Sequence, residues 1–120
     1  MTLGKIVEIS TTIRDQLIEY YRNENIDKQK LLQVAVTAME YIDNYKELRG
    51  DEKKQILNMA LENFIDAMVS DERQKSTLLD LQHEILPLFI DLVVAATKGN
   101  FDINKARKCA TSCFAWCSNL

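Results

Sequence analysis

Residues Glu84–Gly99 read "EILPLFIDLVVAATKG", and this stretch decides the fold. After Pro87 come Leu88, Phe89, Ile90, Leu92, Val93, Val94, Ala95 and Ala96, interrupted only by Asp91. A helix that is apolar on nearly every side belongs in an interior. The polar residues Asp80, Glu84, Asp91 and Lys98 recur at steps of four and seven, which lays them along one narrow seam. Pro87 lacks an amide hydrogen and crowds the carbonyl of His83, so a kink is expected there. Gly99 supplies a stop, because glycine tolerates the left-handed conformation that closes many helices. The segment reads as a central fourth helix, starting near Ser70 or Thr77.

Working outward, the preceding sequence repeats the helical pattern. Ile6, Ile9, Ile13, Leu17 and Tyr20 mark a stripe on a first helix over about residues 5–23. Its start is ambiguous, because "IVEISTTI" is rich in β-branched residues and Thr12 with Asp15 offers a later cap. Asp27 is the expected N-cap of a second helix, with Ile26 and Leu31 placed as a hydrophobic staple. Leu31, Ala35, Ala38, Ile42 and Tyr45 form its stripe, and Gly50 is expected to end it. A third helix follows at once, capped by Asp51, with Ile56 or Leu57, Ala60, Phe64, Ala67 and Met68 inward. The short junction implies a helical hairpin.

A fifth helix is expected after "NFDINK", capped by Asp102 and carrying all three cysteines. Cys109, Cys113 and Cys117 drift by about 40° per step, so they share a face. On a straight helix the outer two lie about 12 Å apart, too far to share one metal ion. Free cysteine packs as a small hydrophobe. The expected face is therefore a packing surface, with Phe114 and Trp116 as anchors. Leu120 suits a prenylation signal, but Ser118 and Asn119 stand where aliphatic residues are usual, so no lipid anchor is expected at Cys117.

The whole chain, residues 1–120, reads as one all-α domain of about five helices. Three glycines and one proline leave few turns, and 47% apolar with 28% charged residues is a globular balance. A net charge of −3 argues against a general nucleic-acid binder. The opening ten residues lack a secretory pattern, no uninterrupted apolar run is long enough to span a membrane, and an odd cysteine count fits free thiols. An intracellular, reducing, cytoplasmic setting is expected.

Candidate chemistry is sparse. His83 and Glu84 begin a zinc-protease motif, but Pro87 stands where its second histidine belongs. Asp91 has no visible nucleophile or metal partner and is expected to reach water or pair with a basic side chain. No catalytic residue, cofactor or metal is assigned. The expected function is a non-enzymatic structural or protein-interaction module, self-associating or built into a larger assembly. Its candidate interface is Leu88, Val94, Cys109, Cys113, Phe114, Trp116 and Cys117. The alternative is a nucleic-acid-associated or regulatory protein using Lys98, Lys105, Arg107 and Lys108.

The segment "LFIDLVVAATKGNFDINKARKCATSC" resembles the C-terminal half of small helical proteins of large nucleocytoplasmic DNA viruses. The resemblance rests on Ile90-Asp91-Leu92-Val93, Lys98-Gly99, Phe101-Asp102-Ile103-Asn104-Lys105 and the cysteine-bearing end. It covers about a quarter of the chain and no catalytic motif. It implies a virion component or another non-enzymatic viral protein.

Overall fold

The computed structural model describes residues 2–97, which form four helices and, among the described residues, no strand. They are α1 (Leu3–Tyr20), α2 (Lys28–Asp43), α3 (Gly50–Met68) and α4 (Glu72–Thr97). The all-α reading therefore holds over these residues. The expected fifth helix and the stop at Gly99 lie outside them.

Helix α1 starts early, not at Thr12. Thr2 is extended and its hydroxyl oxygen accepts from the Lys5 amide at 3.3 Å. The β-branched run is helical because Ile6, Ile9, Ile13 and Leu17 all enter the core at helical spacing. Tertiary burial outweighs a local strand preference of at most about 1 kcal/mol on the propensity scale. The hydroxyls that compete with the helix are also accommodated. Ser10, fully buried, donates to the Val7 carbonyl at 2.8 Å, and exposed Thr12 donates to the Glu8 carbonyl at 3.0 Å.

Asp27 caps α2 as expected, its carboxylate accepting from the Lys30 amide at 2.7 Å. Ile26 and Leu31 both belong to the buried core. The end of α2 differs from expectation. The helix stops at Asp43 and the chain turns through residues 44–49, where buried Leu48 anchors the turn. Gly50 opens α3 instead of closing α2, and no glycine among the described residues takes positive φ. The cap position belongs to Arg49, not Asp51. The Glu52 carboxylate reaches back and accepts from the Arg49 amide at 2.9 Å. That bond holds the Glu52 carboxyl below the usual carboxylate range.

Helix α3 is the hub. It packs against α1, α2 and α4, whereas α1 and α4 do not meet among the described residues. Ile56, Leu57, Ala60, Leu61, Phe64 and Ile65 are all buried. The expected stripe was too narrow and ran too far, since Ala67 is exposed and Met68 only half-buried. Both fall in the last turn, at the edge of the buried face. Helix α2 also meets three helices, α1, α3 and α4, but the contacts of α3 are the more extensive. The apolar side chains that suggest a central fourth helix, Phe89, Ile90 and residues 92–96, lie outside the described set.

Helix α4 begins at Glu72, one residue after Asp71, whose carboxylate accepts from the Arg73 and Gln74 amides at 2.9 and 3.1 Å. Of the two expected starts, the one near Ser70 holds. The helix continues through Pro87 without ending. Cross-contacts show that it runs antiparallel to α3: Asp66 with Lys75, Glu62 with His83, and Lys54 with Asp91. As residue numbers fall on α3, they rise on α4.

Candidate functional site

The α3–α4 pair has an inner seam and an outer face, and they differ in chemistry. On the inner side Leu78 and Gln82 are buried. The Gln82 side-chain amide donates to the Asn58 carbonyl at 3.2 Å, tying one helix to the other. Its carbonyl oxygen has no hydrogen-bond partner among the described residues. An unsatisfied buried acceptor costs about 1–3 kcal/mol, so part of the gain from this tie is offset.

The other buried polar groups on the described helices have structural tasks. Lys53, buried, meets the Asp43 carboxylate at 3.4 Å and fastens the start of α3 to the end of α2. Ser10 bonds within α1 and Glu52 caps α3. The Tyr21 and Thr37 hydroxyls share a hydrogen bond of 2.7 Å, and Tyr21 packs edge-on against Phe64. Burial pushes the Tyr21 phenol above its ordinary value. Lys30 lies 6.0 Å from the Tyr21 ring, and its ammonium is held charged chiefly by a hydrogen bond to Glu24. The Tyr21–Thr37 and Lys53–Asp43 contacts join separate elements, whereas the bonds of Ser10 and Glu52 stay within their own.

The outer face of α4 is where the sequence-derived candidates surface. His83, Glu84, Pro87, Leu88 and Asp91 are all exposed, as is Asp80 one turn earlier. The polar seam of Asp80, Glu84 and Asp91 is thus outward, as its spacing predicts. It is wider than expected, because Pro87 and Leu88 join it. Leu88 is 54% exposed. Asp91 pairs with a basic side chain, Lys54, at 3.9 Å, with the Asp91 carboxylate largely in water. His83 sits 3.8 Å from Glu62, both exposed. Contacts of this length and exposure contribute little.

A second exposed apolar site lies on α1, where Leu3 and Val7 stand one turn apart. Tyr20, at the other end of α1, is exposed and stacks edge-on to Tyr21. Of these only Tyr20 departs from expectation, since it continues the buried stripe in sequence, whereas Leu3 and Val7 lie off that stripe. Their common feature is position at helix ends, where fewer neighbours are available.

Of the candidate interface residues, Leu88 is the one whose side chain is described. Val94 lies on α4, but its side chain is outside the described set. Cys109, Cys113, Phe114, Trp116 and Cys117 also lie outside the described residues, as do Lys98, Lys105, Arg107 and Lys108. Among the described residues no group of histidine, cysteine, aspartate and glutamate could hold a metal ion. No described helix is long and apolar enough to cross a membrane. Comparison with protein-family models, with curated proteins and with solved structures found no significant match.

Proposed function

We propose that this protein is a non-enzymatic helical interaction module, which works by binding another protein or further copies of itself. The observation that carries the reading is Leu88, a large apolar side chain left 54% exposed on α4, the helix that buries Leu78 and Gln82 in its first half. Single exposed leucines are common. This one lies beside exposed Pro87 on a continuous helix, and helix faces are a recurring docking element. The structural employment of Ser10, Glu52, Lys53 and Gln82 supports the non-enzymatic part. Each of these buried polar groups makes an intrahelical bond, a helix cap, an ion pair or an interhelix bond.

The proposal includes a fifth helix with Cys109, Cys113, Phe114, Trp116 and Cys117 as part of the same interface, and a bend of α4 at Pro87. It also includes a reducing intracellular setting, with a viral particle as the assembly that the sequence resemblance suggests. Sedimentation of the full chain at micromolar concentration, with pull-down from its native source, tests the reading. Oligomers or a stoichiometric complex are expected. A strict monomer that captures no protein would overturn it.

A further inference from the structure

The interaction reading leaves open what the outer face of α4 recognises. Its chemistry is mixed in a definite way. Apolar surface from Pro87 and Leu88 sits between carboxylates at Asp80 and Glu84 on one side and Asp91 on the other. Asp80 and Glu84 form no ion pair among the described residues, while Asp91 has only the long contact to Lys54. Proline cannot donate to the carbonyl of His83, so the helix ladder offers that oxygen no donor from position 87.

We infer that this face docks a basic amphipathic helix of a protein partner. An apolar side chain of the partner covers Pro87 and Leu88, and flanking lysines or arginines meet Asp80, Glu84 and Asp91. The carboxylates are spaced by four and seven positions, so one helix face carrying cations at matching intervals engages them together. A second copy is a poorer occupant of the same surface. A two-fold contact presents each patch to itself and sets acidic rims against acidic rims.

The inference rests on the interaction reading, and its test is separable from that reading. The full-length, isotopically labelled protein is titrated with a synthetic helix of leucine and lysine, with a leucine and glutamate helix as control. The lysine peptide is expected to shift amides between residues 80 and 91, and added salt to weaken it. Leu88→Asp, and separately the charge reversal D80K/E84K, are each expected to weaken binding at least roughly tenfold, a difference of about 1.4 kcal/mol. Leu3→Asp, on the other exposed apolar site, is expected to leave binding unchanged. Helical circular dichroism confirms that each variant is folded. Shifts scattered over all acidic surfaces, shifts centred on Leu3 and Val7, or binding indifferent to both α4 variants would overturn the inference. Failure of the lysine peptide to bind would do the same. If sedimentation finds a complex while the α4 amides stay silent, the interaction reading survives and this assignment falls.

Discussion

The buried face of α3 and the outer face of α4 belong to neighbouring helices with similar apolar residues, yet they are used in opposite ways. On α3, Ile56, Leu57, Ala60, Leu61, Phe64 and Ile65 are all shielded, and the polar neighbours Glu52 and Lys53 are spent on a cap and an ion pair. On α4, Leu88 and Pro87 remain in water among carboxylates. The first arrangement maximises stability. The second contributes little to it and leaves chemistry for something else to meet.

Substitutions should therefore separate the two faces by size of effect. The largest is expected from Phe64→Ala, which removes a fully buried ring from the hub of the core. A loss of about 3–5 kcal/mol is expected in chemical denaturation. A cost below about 1 kcal/mol would mean that α3 is not the hub. Next comes Asp27→Ala, which removes the acceptor for the Lys30 amide. It should cost about 1 kcal/mol, with Asp27→Asn recovering most of the loss.

A third test uses pH. The Glu52 carboxyl is held below its ordinary value in the folded chain. Its ionised form therefore adds stability that is fully present above the unfolded carboxylate pKa. That stability is lost as pH falls through the lower, folded value. Glu52→Gln should flatten this acid-side decline, and unchanged pH profiles in matched melts would refute the cap's role. The smallest stability effects belong to α4. Asp91→Asn, which weakens an exposed contact to Lys54, should change stability by less than about 0.5 kcal/mol. Leu88→Asp should likewise fall within about 0.5 kcal/mol, the range usual for surface substitutions. A large destabilisation by either would erase the contrast and make α4's outer face part of the core.

The same contrast explains what was legible in the sequence. The stripe Ile6, Ile9, Ile13 and Leu17 and the cap at Asp27 could be read directly, because helical period and N-capping are local. Gly50 was misread for a local reason too. Glycine fits both the end of one helix and the start of the next, and only the reach of Glu52 back to the Arg49 amide decides between them. The pairs Lys54–Asp91 and Glu62–His83 were invisible because antiparallel packing creates them. One trace existed: the spacing of eight between 54 and 62 matches that between 83 and 91. The hub role of α3 was not legible, because both α2 and α3 meet three helices and only the breadth of the packed face separates them.

That α3 is the shared partner also has a consequence for the chain while it is being made. Synthesis at about 5–20 residues per second delivers α1 well before its main partner. The Ile6–Leu17 stripe meets α2 first, and its contacts with α3 must wait until Phe64 and Ile65 have left the ribosome. For that interval the nascent chain displays an amphipathic helix whose apolar stripe is only partly covered.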